Sequence, residues 1–205
     1  MNCEEFSLES CEFALPVVKE SLRCIVSTIL FARSIGGNVP LIPRVCSCDI
    51  LRGIDYVDYS DELTLKLNSK INEFTRKLEG SNACEFVLSF YVPRQSHAKS
   101  LWDILSQPFD DKPVFERWRI PVILASSFAG VVSLGEEEER LIESAKTQVR
   151  DRMFFVLKKI NERMDHLPPP PADQPVYHFE IIDTSQGAWS PKNIAQSIRG
   201  IPFIT

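Results

Sequence analysis

The side chains best suited to act as nucleophile, base or soft metal ligand are six cysteines, Cys3, Cys11, Cys24, Cys46, Cys48 and Cys84, and three histidines, His97, His166 and His178. A thiol turns nucleophilic when a neighbouring base or cation lowers its pKa. A cysteine meeting His166 or His178 in the fold would make a thiol hydrolase. No histidine has an acidic or cysteine neighbour at ligand spacing, and His178 alternates within a strand-like stretch, as a satisfied surface or core residue does. Cys46-Ser47-Cys48 is one close pair, where zinc needs two such pairs or added histidines. The run Glu136 to Glu139 is explained by the positive end of a helix. The sequence has no glycine-rich phosphate loop, no G-x-S-x-G and no H-E-x-x-H, and its eight glycines leave few places for backbone to approach a cofactor. The expectation is a non-enzymatic protein without cofactor or metal, with the thiol hydrolase as the lesser alternative.

Binding chemistry is better represented. Residues 94–113 form an irregular stretch carrying Leu101, Trp102, Ile104, Leu105, Pro108 and Phe109 among polar residues. A loop that apolar is unusual, and exposed Trp and Phe on a loop anchor partners. The opposing reading tucks both rings back onto the domain. A second candidate is the stretch Gly135 to Met164, which has no internal Gly or Pro after its start and reads as one helix of about thirty residues, long for a globular protein. Ile142, Ala145, Val149, Met153, Val156 and Ile160 line one face at steps of three and four. The run Met153-Phe154-Phe155-Val156-Leu157 is apolar all round and asks for two neighbours.

The elements that would position these residues form one domain, since 205 residues make a sizeable core but not two comfortable ones. Hydrophobic residues at 44% and charged residues at 25% are globular averages. A net charge of -5 argues against a sequence-independent grip on nucleic acid. No apolar run is long enough for a membrane span, and no basic region followed by an apolar core opens the chain, so the expected compartment is cytosol or nucleus, with reduced thiols.

In chain order, Glu9 to Leu15 suggests a short first strand. Pro16 then begins a largely buried helix with Val18, Leu22, Ile25 and Ile29, stopped by Gly36-Gly37. Residues 38–59 read as a ribbon, and Ser60 caps a second helix with the stripe Leu63, Leu67, Ile71, Phe74 and Leu78, Gly80 supplying its left-handed stop. Phe86 to Val92 alternates as a strand packed on one face and partly covered on the other. Val114 to Leu124 is the next strand, where Pro121 implies an edge position or a bulge. After the long helix, Pro168 to Pro171 form a stiff connector, Val176 to Asp183 a strand, Ser190 to Gly200 a short helix, and Ile201 to Ile204 a docked tail.

This order, with Phe115-Glu116-Arg117-Trp118 opening the middle strand, resembles the HORMA domain, the fold of spindle-checkpoint and meiotic-axis adaptors. Further phrases resemble the HORMA members that serve autophagy initiation: Met1-Asn2-Cys3, Ile29 to Ser34, Ile54 to Tyr59, Leu88 to Tyr91, Glu138-Glu139-Arg140 and Met164 to Pro168. Together they keep register over about 170 residues, each motif being short.

The resemblance implies an α+β fold, with three main helices on a mainly antiparallel sheet, held in an open-like state with a short C-terminal segment. It implies an adaptor subunit of the autophagy-initiation kinase complex, cytoplasmic and recruited to the phagophore assembly site. Such an adaptor pairs with and stabilises a second HORMA protein, autophagy-related protein 13. Helix C, the long helix, often mediates this pairing, which makes Phe154, Phe155 and Leu157 the candidate partner surface. The family also recruits downstream factors through a Trp-Pro-Phe finger. Here Pro108-Phe109 stands in place, but Gln107 precedes it and Trp102 lies six residues before Pro108. Either an inserted stretch lets Trp102 and Phe109 meet at the tip, or the tryptophan function is lost. The alternative within the family, a peptide-wrapping adaptor of chromosome biology, needs a mobile C-terminal belt that this short tail does not suggest.

Overall fold

A computed structural model describes residues 3–34, 43–58, 61–92, 113–125, 134–169 and 177–183. The expected loop with Trp102, Pro108 and Phe109, the short helix at Ser190 and the C-terminal tail lie outside these residues.

The described chain is α+β. Strands β1 (Glu4–Ser7) and β2 (Cys11–Phe13) lead into helix α1 (Leu15–Ser34). A ribbon of β3 (Arg44–Ser47) and β4 (Asp55–Asp58) follows, then helix α2 (Asp61–Ser81). Strands β5 (Ala83–Tyr91) and β6 (Val114–Leu124) precede the long helix α3 (Leu134–Glu162), and β7 (His178–Asp183) closes the series. The main sheet runs β1-β6-β5-β7, with β2 continuing the β1 edge along β6. The long β5–β6 and β5–β7 ladders are antiparallel, whereas β1 and β2 pair with β6 in parallel. The ribbon is a separate antiparallel pair. This is the helix and strand order of the HORMA-like fold that the sequence suggests.

The buried centre is α1. Every residue from Cys24 to Leu30 is buried, because α2, α3 and β4 all pack around this helix. The stripe of α3 is as the periodicity predicts, with Ala145, Val149 and Val156 at 0–1% exposure, but its chief neighbour is α1 rather than the sheet. Phe74 of α2 meets Phe86 of β5 edge-on at 5.3 Å, which seats α2 on the sheet.

Three local expectations change in the structure. Strand β1 is an addition: Glu4-Glu5-Phe6-Ser7 is too polar to stand out alone, yet Phe6 stacks on Trp118 at 4.4 Å. Gly80 does not end α2. The helix runs to Ser81, and Asn82 takes the left-handed conformation at φ 59°, its N–H donating to the Leu78 carbonyl at 2.9 Å in the one-bond αL cap. Asparagine tolerates that region because its short polar side chain adds little steric conflict.

Pro121 lies in central strand β6, opposite Glu85, and not at an edge. The amide of Leu124 points to β5 and that of Ala125 to β2, so the side facing β1 and β2 alternates onto position 121. There the edge changes hands. Ser7 pairs with Arg119 and Cys11 with Val122, which inserts one extra residue in the β1–β2 connection. The missing donor of Pro121 therefore faces a break in the neighbouring strand, and the irregularity that proline demands is supplied by that neighbour.

The outer side of β1 and β2 is covered by α3. Gln148 acts as a surrogate strand, its Oε1 accepting from the Glu12 amide at 2.8 Å and its Nε2 donating to the Glu12 carbonyl at 3.0 Å. Arg152 pairs with Glu9 at 3.0 Å. Covering an edge this way blocks its use as a template for further strands.

The αL cap makes Asn82 a test of this helix boundary. Asn82→Gly should leave stability unchanged or raise it slightly, whereas Asn82→Val should cost about 1–2 kcal/mol in urea denaturation, because only the branched residue resists positive φ.

Candidate functional site

Two places gather unusual side chains: a polar cluster inside the core and an apolar patch on the outside of α3. The first is built on Phe115-Glu116-Arg117-Trp118. Alternation on β6 turns Glu116 and Trp118 inward with Ile120, while Arg117 and Arg119 turn outward. Glu116 is completely buried. Arg33, near the end of α1, donates from Nε to both oxygens, at 2.8 Å to Oε1 and 3.0 Å to Oε2, and its Nη2 lies 2.8 Å from Oε2 as an ion-pair contact. Trp118 donates its indole N–H to Oε1, and His166 Nε2 lies 2.6 Å from Oε2. A carboxylate only accepts, so His166 carries the proton on Nε2.

This arrangement is a clasp rather than a catalytic centre. Both carboxylate oxygens of Glu116 are engaged, and Phe6 lies against both Trp118 and His166. The clasp ties α1, β6 and the segment after α3. That segment is further held where Tyr177 donates its hydroxyl to the Pro168 carbonyl at 2.7 Å. His166, expected to lack an acidic partner, has one fifty positions away in sequence, which local spacing cannot reveal. His178 stacks on Tyr91 at 5.6 Å across the β5–β7 pair, a structural place in keeping with its alternation.

Three buried thiols, Cys11, Cys24 and Cys48, are set against nucleophilic chemistry. Burial pushes the Cys24 thiol far up, with Cys48 beside it adding to the effect, and burial likewise raises Cys11 and Cys48. Cys48 Sγ leans on the Glu20 carboxylate at 3.3 Å, an acidic neighbour that disfavours a thiolate. A catalytic thiol needs the opposite shift.

On the outer side of α3, Phe154 is 71% exposed and Leu157 is 49% exposed. Phe155 differs from both. It is half-buried and packs against the core, with Lys159 Nζ 5.7 Å from its ring centre. Of the three residues expected at a partner surface, two face outward and one mainly bridges to the core. Phe154 and Leu157 border a shallow depression shared with Met153, Arg150 and Gly53-Ile54-Asp55 of the ribbon turn. Gly53 has φ 84°, which a side chain would resist, and its carbonyl accepts from Arg150 at 3.4 Å. The ribbon turn is thus fastened beside the apolar patch, a contribution that the helical periodicity of α3 could not signal. Trp102, Pro108 and Phe109 lie outside the described residues.

Most of the described elements fall within the span matched by one known protein family. The family model for Autophagy-related protein 101 matches residues 12–174, which include α1, the Glu116 strand and all of α3. The chain belongs to the Autophagy-related protein 101 family. Over 200 residues it is 28% identical to Autophagy-related protein 101 of Arabidopsis thaliana, covering 88% of this chain and 87% of that one. This is an autophagy-related family. Among the described residues, no helix is long and apolar enough to cross a membrane.

The clasp yields a stability prediction. Glu116→Ala strands the Arg33 guanidinium in the core and should cost about 3–5 kcal/mol in chemical denaturation. The double replacement Arg33→Met with Glu116→Leu should recover most of that loss, since it removes the buried charge rather than orphaning it. Equal losses in the single and double variants would mean that the pair is not coupled.

Proposed function

We propose that this protein is a non-enzymatic HORMA adaptor of the autophagy-initiation kinase complex that pairs with a second HORMA protein, autophagy-related protein 13, and stabilises it. The observation that carries the reading is the pair Phe154 and Leu157, exposed on a helix whose opposite face is fully committed to α1. Large apolar side chains beside a shallow depression are the material of an interface core, and burying them against a partner removes them from water. Membership in an autophagy-related family supplies the biological setting.

In this reading the protein acts where autophagosomes are initiated, in the cytoplasm and at the phagophore assembly site, by binding alone. Phe155 supports the surface from beneath. The loop with Trp102, Pro108 and Phe109 recruits downstream factors, its rings serving as anchors of the kind that dominate interfaces.

Co-expression with the partner HORMA domain and size exclusion test this. The wild-type pair should elute as one complex. Phe154→Asp with Leu157→Asp should weaken it by about 100-fold or more, because charge replaces two buried anchors, while circular dichroism shows the fold retained. In the same format, Trp102→Ala with Phe109→Ala should keep the pairing and lose downstream recruitment. Two separate wild-type peaks at micromolar concentration would sink the pairing.

A further inference from the structure

Two of the six cysteines meet inside the core, and a carboxylate is held against one of them. Cys24 lies in the middle of α1 and is fully buried, while Cys48, in the turn between β3 and β4, is 3% exposed. Glu20 and Cys24 stand four residues apart on α1, so they share one face of the helix. Cys48 closes on that face from the ribbon. Its Sγ lies 3.3 Å from Glu20 Oε2, and its thiol is also a direct neighbour of the Cys24 thiol. The Leu51 amide donates to the same sulfur at 3.3 Å, and the Cys48 amide donates to the Ile54 carbonyl at 3.0 Å, which seats Cys48 under the turn. The other four thiols have other neighbours: Cys3 faces the Glu4 carbonyl, Cys11 the Glu9 carbonyl and Cys84 the Ser81 hydroxyl, and Cys46 stands opposite Tyr56 in the ribbon.

Buried thiols that serve only as small apolar filler have no need of a carboxylate. Glu20 is held in place from several sides. Its Oε1 accepts from Arg23 Nη1, and Arg23 is fixed in turn by Asn68 Oδ1 of α2 at 3.0 Å and by Tyr56 of β4. Helices α1 and α2 and strand β4 thereby aim Oε2 at Cys48. A carboxylate only accepts, so the Cys48 thiol donates along that contact. A base for the Cys48 proton is in place before any oxidant arrives.

We propose that Cys24 and Cys48 form a redox lock, a disulfide that closes under peroxide and fastens the ribbon turn to α1. Cys48 is the sulfur nearer solvent, with Asp49, Ile50, Arg52 and Gly53 of its turn all exposed. Its proton passes to Glu20 as the sulfur attacks hydrogen peroxide. An S–O bond forms, the O–O bond breaks, and the departing hydroxide takes the proton back from Glu20 to leave as water. The Cys24 sulfur then attacks the Cys48 sulfur. The S–S bond forms, the S–O bond breaks, and hydroxide leaves with the Cys24 proton as a second water. Two thiols and one peroxide become one disulfide and two waters, two electrons passing from sulfur to oxygen.

Burial keeps both thiols protonated at rest, so the lock closes slowly and answers sustained oxidant. The same burial shields the closed bridge from external thiols. Closing movement falls on residues 49–53, which form bend and turn, and not on α1. That turn also supplies Gly53-Ile54-Asp55 to the depression beside Phe154, so the lock fixes one wall of it. The lock operates in the isolated chain and is independent of the pairing proposed above.

The reduced full chain, exposed to hydrogen peroxide without denaturant and then alkylated in urea, tests the lock. In the wild type, Cys24 and Cys48 should escape alkylation and peptide mapping should find them joined. The urea midpoint should rise by about 1 M, the effect of closing a loop of this length, and reduction in urea should reverse it. Cys24→Ser and Cys48→Ser should each abolish the bridge and the shift, whereas Cys46→Ser should keep both. Glu20→Gln keeps the shape but cannot take the proton, and should slow bridge formation by about 10-fold or more. The wild-type mapping decides even where a serine variant folds poorly. A folded wild type that keeps both thiols free under peroxide, joins Cys48 to Cys46 instead, or stops at singly oxygenated cysteines overturns the lock. Equal rates in the wild type and Glu20→Gln overturn the part given to Glu20.

Discussion

The fold depends on one buried carboxylate. Glu116 sits in the middle of the core with no exposure, and removing a charge from water costs several kcal/mol unless its lone pairs are met. Meeting them requires distant pieces of chain to arrive together: Arg33 from α1, the indole of Trp118 from the same strand, and His166 from the segment beyond α3. A hydrophobic core tolerates small slips of helix against sheet, whereas a buried guanidinium hydrogen-bonded to both oxygens of one carboxylate does not. The pair therefore sets the position of α1 on β6. The imidazole then sets where the chain leaves α3, and so the approach to β7.

The same constraint explains the mixture of strand directions. Phe6 must lie on Trp118, and it does so from a strand running parallel to β6. Parallel edge strands ordinarily need covering on their outer side, and α3 provides it through Gln148 and Arg152, with Arg163 just past its end reaching Glu4. Pro121 can then occupy a central strand, because the edge passing from β1 to β2 demands no amide donor there. A proline, a one-residue irregularity and a helix along the edge are three consequences of one local geometry.

What could be read in the sequence was whatever repeats within a few residues. The stripes of α2 and α3, the burial of α1 and the span Val114 to Leu124 follow from periods of 3.6 and 2, which short windows contain. The αL position at Asn82 escaped because Gly80 is the stronger stop signal, although the helix bond to Leu78 puts the turn two residues later. The Glu116 clasp escaped for a different reason. Its members are separated by 83 residues to Arg33 and 50 to His166, and no periodicity links them. The family signature marked Glu116 and Trp118 as special without saying what they hold. At the candidate surface, the apolar band on α3 was legible, but the separation of Phe155 from Phe154 and Leu157 depends on which side of the helix the core covers, which the band itself does not encode.

That separation matters for how the protein can be altered. Phe154 and Leu157 lie on the outside of a helix already anchored by Ala145, Val149 and Val156, so their exposure is not a defect in the core. Their replacement removes little that the isolated fold uses, while Phe155 and the stripe below it bear on stability. The proposed binding surface and the folding stripe thus lie on opposite sides of one helix. The long α3 is what permits this, since its inner stripe anchors it over several turns and leaves its outer side to carry Phe154 and Leu157. The clasp just beyond one end of α3 and Gln148 near its middle fix the helix against the domain, and with it the place of Phe154 and Leu157.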